Sequence, residues 1–247
     1  MELEVGFVTD RDAVAAAAAV GERFPAVAVE VVDAGRALDA ALDAWKAHAR
    51  PVRAGRLHVR PPWLADDDDP PAAGERCVVV DPGRAFGSGS HPSTQACLEV
   101  VDRLAGPGRS VLDIGCGSGV LAVSAAVLGA APVVAVDVDP VAAAATRANA
   151  GSNAVAVTAS TTDIADVAGP FDLVLANIGA GTLVALAAAI STRVAPGGDL
   201  ALSGLLSTQA DDVVAAYADF DEAGRTEGAW TTVVLHRPIH QPAIPIN

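Results

Sequence analysis

Beyond Gly108, short apolar runs alternate with longer stretches of helical composition. Ser110–Ile114, Val133–Val138, Ala154–Thr158, Phe171–Ala176, Asp199–Ser203 and Trp230–His236 read as strands, short and rich in aliphatic and β-branched residues. Val120–Leu128, Val141–Ala150, Thr182–Val194 and Thr208–Tyr217 read as the helices between them. Apolar strands separated by helices predict a mostly parallel sheet covered on both faces, the doubly wound α/β class.

The N-terminal part has a different texture. Leu3–Val8 alternates, Asp10 is placed to cap an Ala-rich helix, and Ala26–Val32 is β-branched and alternating, which predicts a small α/β extension over residues 1–35. A helix from Gly35 to Ala49 follows and stops before Pro51, because a proline pushes its predecessor out of the helical region. The chain then turns extended. Pro61–Glu75 holds four prolines and the run Asp66–Asp67–Asp68–Asp69, a composition too polar to fold alone. These features divide the chain into an extension over 1–60, an acidic Pro-rich linker over 61–76 and a main domain over 77–247.

Composition narrows the function. Although 51% of the 247 residues are apolar, the run Ala13–Val20 falls short of the roughly 18 residues a membrane span needs. Glu2, Glu4, Asp10 and Asp12 stand where a secretory signal would carry positive charge, so a cytoplasmic location with no membrane partner is predicted. Cys77, Cys97 and Cys116 form no CxxC pair, which fits a reducing compartment and gives zinc no support. Four consecutive carboxylates also lack the alternating spacing of a calcium loop, so no metal is predicted. The net charge of −14 repels phosphate backbones and attracts basic partners, which argues against direct nucleic-acid binding and suits a basic protein substrate.

The chemistry concentrates in Asp113-Ile114-Gly115-Cys116-Gly117-Ser118-Gly119, placed where the strand at 110–114 ends and the next helix begins. Glycines there allow a tight turn and close approach to a ligand, and the free N–H groups of the helix start favour an anionic group. Asp137 follows Gly115 by 22 positions, at the end of the second strand, where it can accept hydrogen bonds from two ribose hydroxyls. Gly115, Gly117 and Asp137 therefore describe an adenosine-binding site. Gly117–Ala122 formally satisfies the dinucleotide pattern GxGxxA as well. Asp113 discriminates: a carboxylate there repels a pyrophosphate but can serve the cationic amino-acid end of S-adenosylmethionine, directly or through water.

Several segments resemble the PrmA family of class I methyltransferases, which trimethylate large-subunit ribosomal protein eleven on amines. They are Asp81–Thr94 with its Phe-Gly-Ser-Gly-Ser-His core, the Asp113–Gly119 loop, Val136–Pro140, Ala176-Asn177-Ile178, Pro196-Gly197-Gly198 and Leu202–Leu206. The resemblance covers roughly Trp45 to the C-terminus and implies a seven-stranded class I methyltransferase sheet. It also implies that Thr94, Gly115, Asp137 and Asn177 contact the cofactor, that Phe86 and His91 belong to a loop closing over it, and that Asn177 holds the amine that receives the methyl group. The family's Asn-Ile-Leu-Ala-Gly-Pro-Leu reads here Asn177-Ile178-Gly179-Ala180-Gly181-Thr182-Leu183, so an apolar wall beside the amine site is missing. Alternatives that stay open are transfer to another protein or a small amine, a module that binds the cofactor without catalysis, and an NAD-dependent oxidoreductase. Nothing in the sequence speaks to oligomeric state.

Overall fold

The run Val111–Ile114 buries all four of its side chains, because alternate residues of a central strand feed two different cores. The surrounding fold is seen in a computed structural model that describes residues 16, 19, 20, 23, 24, 46, 49–64, 69–83, 87, 89–226 and 228–239. The chain divides into two compact units, Met1–Ala49 and Arg50–Asn247. In the first, Ala16, Ala19, Val20, Arg23 and Lys46 are helical. The strands expected at Leu3–Val8 and Ala26–Val32, and Trp45, lie outside the described residues.

The second unit opens with a three-stranded sheet: β1 (Val52–Ala54) pairs antiparallel with β2 (Leu57–Arg60), and β2 pairs parallel with β3 (Arg76–Val79). Its apolar residues Val52, Ala54, Leu57, Val59, Val78 and Val80 share one buried cluster with Cys97, Leu98 and Val101 of the following helix, α1 (Pro92–Leu104). This moves the boundary expected near Cys77 back to Arg50. The Pro- and Asp-rich composition reads as a linker, yet the strands on either side of it are bound into the main core. Asp69, the described end of the acidic run, is not simply solvated either, since both its oxygens meet the Arg53 guanidinium at 2.8 and 2.9 Å.

The main sheet is built by β4 (Val111–Ile114), β5 (Val133–Val136), β6 (Thr158–Ser160), β7 (Phe171–Asn177), β8 (Val194–Leu206), β9 (Asp221–Arg225) and β10 (Trp230–His236), in the order β6-β5-β4-β7-β8-β10-β9. The first five strands run parallel and β10 runs antiparallel to both of its neighbours. Val111, Leu173, Leu175 and Ala201 face a core shared with α1, α2 (Val120–Val127) and Ala150 of α3 (Pro140–Ser152). Leu112, Ile114, Val174, Ala176, Leu200 and Leu202 face the opposite core, closed by α4 (Ala180–Ala185), α5 (Ala187–Arg193) and α6 (Ala210–Ala215). The doubly wound, mostly parallel sheet expected from the alternation is present.

Several boundaries differ for local reasons. β6 starts at Thr158 rather than Ala154, because α3 runs on to Ser152 and Ala154 takes φ 53° in the turn that follows. The helix expected over Thr182–Val194 is divided at Leu186. β8 extends well beyond Asp199–Ser203: Pro196-Gly197-Gly198 looks like a turn, but Gly197 N–H donates to Arg237 O and Arg237 N–H to Gly198 O, at 2.7 and 2.9 Å.

Candidate functional site

Chain order reverses between β4 and β7, since β4, β5 and β6 proceed to one side and the chain returns to place β7 on the other. The carboxyl ends of two such strands leave a crevice where ligands of doubly wound sheets bind. Here those ends are Ile114, leading into Gly115, and Asn177.

The glycine loop crosses this crevice. Gly115 has φ 71°, and a Cβ built on it would lie 2.3 Å from Ile178 Cγ2, so the backbone of the loop touches the segment after β7 directly. Gly119, at φ 79°, caps α2, where a Cβ would meet Thr146 Cγ2 at 2.6 Å. A side chain at either position would force the loop away from its neighbours.

Asp137 stands just beyond β5. Its carboxylate accepts the Gly117 N–H and the Asp139 N–H, each at 3.0 Å, so the acid and the glycine loop are held together as their spacing implied. Each carboxylate oxygen keeps accepting capacity for further hydroxyls. Next to it Val138 is 97% exposed, an apolar side chain presented to solvent at the ligand-binding edge of the sheet. The strand expected over Val133–Val138 ends at Val136, so Val138, directly after Asp137, is exposed rather than buried in the sheet.

Asp113 lies on the face of β4 that meets α2, where its Oδ2 accepts the Ala122 N–H at 3.2 Å. It is 1% exposed. Burial pushes its pKa from 3.8 up to about 7, the Ala122 N–H opposing the rise and the nearby negative charge of Asp137 adding to it. A buried acid of this kind gains from a cation brought alongside.

On the other side of the crevice, Asn177 Nδ2 donates to the hydroxyl of Thr94 at 3.3 Å, joining the end of β7 to the first turn of α1. Thr94 is 1% exposed and Asn177 half-buried. A buried polar layer backs this contact: Ser203 Oγ donates to Ser93 O at 3.2 Å, which leaves the Thr232 hydroxyl to donate to Ser203 at 2.6 Å. Ser203 and Thr232 lie far from Asn177 in sequence, and nothing local shows that they stand behind this contact.

His91 caps α1, its Nδ1 accepting the Ser93 N–H at 3.3 Å while Pro92 occupies the first helical position. Its ring packs edge-on against Trp230, with centroids 4.7 Å apart. Phe86, expected in the same loop, lies outside the described residues. Gly87 is described, and its carbonyl accepts from Ser118 Oγ, which ties this loop to the glycine loop. Thus Asp113, Gly115, Gly117, Asp137, Thr94 and Asn177 come together at one edge of the sheet, and His91 stands at the start of the helix that carries Thr94. Among the described residues there is no cluster of His, Cys, Asp or Glu able to hold a metal ion.

A glycine loop at the switch point, an acid after the second strand, and a seven-stranded sheet in which β10 runs antiparallel between β8 and β9 define the class I methyltransferase fold. The same fold is found in the solved Thermus thermophilus 16S rRNA N2 G1207 methyltransferase (RsmC), with a TM-score of 0.53, 23% identity and coverage of 62% of this chain and 45% of that one. Residues 13–238 match the family described as Ribosomal protein L11 methyltransferase (PrmA), and the chain belongs to that family. It is 40% identical over 200 residues to the ribosomal protein L11 methyltransferase of Symbiobacterium thermophilum, and 49% identical over 172 residues to that of Dechloromonas aromatica. These alignments take in 79% and 69% of this chain but 65% and 56% of the relatives, so the chain spans less than two thirds of their length. The crystal structure of a ribosomal protein L11 methylase from Lactobacillus delbrueckii subsp. bulgaricus superposes with a TM-score of 0.70 at 30% identity, covering 76% of this chain and 99% of that one.

Proposed function

We propose that this chain is an S-adenosylmethionine-dependent N-methyltransferase acting on amines of a large-subunit ribosomal protein, the substrate named for its relatives being L11. The observation that carries the reading is the meeting of the Gly115 loop, Asp137 and the Asn177–Thr94 pair at a single switch point. The residues present suit this cofactor. The glycine cradle leaves no room for a side chain, Asp137 can accept from ribose hydroxyls, exposed Val138 offers an apolar face to a purine, and Asp113 gains from an ammonium group. A nicotinamide dinucleotide suits it less, because its pyrophosphate would place negative charge at the glycine loop beside Asp113.

S-adenosylmethionine, when bound, supplies a methyl group made electrophilic by a sulfonium sulfur. The chain's own part is chiefly positioning, which can account for a large share of the rate of such a displacement. Asn177, whose Nδ2 is committed to Thr94, keeps Oδ1 to accept an N–H from the incoming neutral amine, and that bond aims the nitrogen lone pair. A lysine substrate must first lose its proton, which a water-poor crevice favours by disfavouring the ammonium form. A Cβ at Gly179 would meet nothing within 4 Å, so the acceptor side stays open. The net charge of −14 draws a basic protein toward it. A cytoplasmic setting is part of the same proposal: no helix among the described residues is long and apolar enough to cross a membrane, and Cys77, Cys97 and Cys116 are free thiols.

Calorimetric titration with S-adenosylhomocysteine and, separately, with NAD tests the cofactor assignment. The first is expected to bind, and Asp137→Ala to weaken it by about a hundredfold or more, since hydrogen bonds to a charged acceptor contribute about 1.5–3 kcal/mol each. Binding of NAD alone would overturn the reading. Incubation with labelled S-adenosylmethionine and ribosomal protein L11 then tests the substrate, and an unlabelled L11 would refute that part.

A further inference from the structure

Two asparagines at the end of α3, Asn149 and the C-cap Asn153, direct their side-chain amides to backbone far away in sequence. Asn153 treats Val79 as a neighbouring strand would: its Oδ1 accepts the Val79 N–H at 2.8 Å and its Nδ2 donates to Val79 O at 2.6 Å. It thereby closes the outer edge of β3. Asn149 does something different. Its Oδ1 accepts the Asp81 N–H at 3.0 Å, while its Nδ2 donates both to Asp81 O at 2.9 Å and to Ser118 O at 2.8 Å. Both amide protons are used, and the side chain is buried, with 3% exposure.

Ser118 belongs to the glycine loop and Asp81 to the segment that leads toward His91. The tie through Asn149 is reinforced by Ser118 itself, whose hydroxyl donates to Gly87 O. Ser118 is fully buried, so neither of its contacts can be replaced by solvent. The next residue back, Gly117, donates its N–H to Asp137. A single side chain thus links the residues expected to hold the ribose and amino-acid ends of the cofactor to the root of the segment before α1.

We propose that Asn149 is a positioning residue for cofactor binding, joining the glycine loop at Ser118 to the Asp81 backbone so that ordering of one orders the other. The inference rests on the cofactor reading given above. It separates Asn149 from Asn153, whose side chain bonds the Val79 backbone and the Asn149 carbonyl and does not touch the loop. Substituting Asn149 leaves the buried Ser118 carbonyl without this partner and unties it from the exposed Asp81 backbone, and the loop is free to leave the conformation the ligand needs.

The test uses the full chain and S-adenosylhomocysteine, with thermal unfolding recorded beside each titration. Asn149→Ala is expected to bind about tenfold or more weakly than wild type, whereas Asn153→Ala keeps an affinity within about twofold despite a comparable loss in Tm. Equal affinities for the two variants at comparable Tm would reduce Asn149 to a structural residue and overturn the proposal. Hydrogen exchange on the wild-type protein decides the matter even where a variant fails to fold. The ligand is expected to slow exchange in Val79–Gly83 together with Gly115–Gly119, and slowing confined to the glycine loop would refute the coupling. Wild type that binds no S-adenosylhomocysteine would refute the cofactor reading and this inference with it; binding without coupling refutes this inference alone.

Discussion

Replacing Asp113 with asparagine exchanges a buried carboxyl for a neutral amide of nearly the same shape, one that can still accept the Ala122 N–H. In the folded chain burial holds the Asp113 pKa at about 7, against 3.8 for an exposed aspartate. Between those two values the folded state binds more protons than the unfolded state, so stability falls as pH rises through that window. The difference corresponds to about 4 kcal/mol once the group is ionised in both states, on the order of 10 °C in Tm for a unit of this size. Urea unfolding of both proteins at several values between about pH 4 and pH 8 isolates this contribution, because the other carboxylates are common to both. Asp113→Asn is expected to gain on wild type steadily across the window and to level off above about pH 7. A difference that does not change with pH would show that Asp113 is not held protonated, and the account of its environment would fail. The cofactor reading adds a second consequence. An ammonium group placed beside Asp113 favours its ionised form, so S-adenosylhomocysteine is expected to release protons on binding near pH 6, measurable by calorimetry in buffers of different ionisation enthalpy. The release should vanish in the variant.

Gly115→Ala places a methyl group 2.3 Å from Ile178 Cγ2 at a backbone φ of 71°, and a loss of at least about 2 kcal/mol in unfolding stability is expected, with S-adenosylhomocysteine binding abolished. An alanine variant that binds normally would mean the loop does not lie against the β7 end. Tyr217→Phe removes the hydroxyl that donates to Leu183 O at 2.8 Å under α4, leaving a buried carbonyl unpaired; about 1–2 kcal/mol should be lost in chemical denaturation, and an unchanged midpoint would refute that assignment.

The strands of the parallel sheet were readable because burial on both faces imposes near-continuous apolar runs such as Val133–Val136 and Leu173–Ala176. β9 went unread for the converse reason: Asp221–Arg225 is an edge strand, paired on one side only and largely exposed, and its residues Asp-Glu-Ala-Gly-Arg carry no apolar period. β1 and β2 are too short to show a period, and the acidic run between β2 and β3 hides that all three share a core. In the site, Gly115, Gly117 and Asp137 were legible because strand, turn and helix fix their separation locally. Asn149, Ser203 and Thr232 were not, since each matters through a backbone or hydroxyl partner brought close only by the completed sheet. His91 was legible as a loop residue, but its contact with Trp230 joins residues at opposite ends of the domain sequence.

The strand order β8-β10-β9 has a bearing on how the chain is made. β10 follows β8 and β9 in the chain yet sits between them, so those two share no edge until Trp230–His236 has been inserted. A nascent chain still lacking those residues holds Val194–Leu206 as an open strand, thirteen residues long and mostly apolar along its inner half. Such an edge is a template for pairing with another chain. During synthesis, therefore, the emergence of Trp230–His236 from the ribosome, rather than the earlier formation of the glycine loop, is the step that makes the sheet safe from its neighbours.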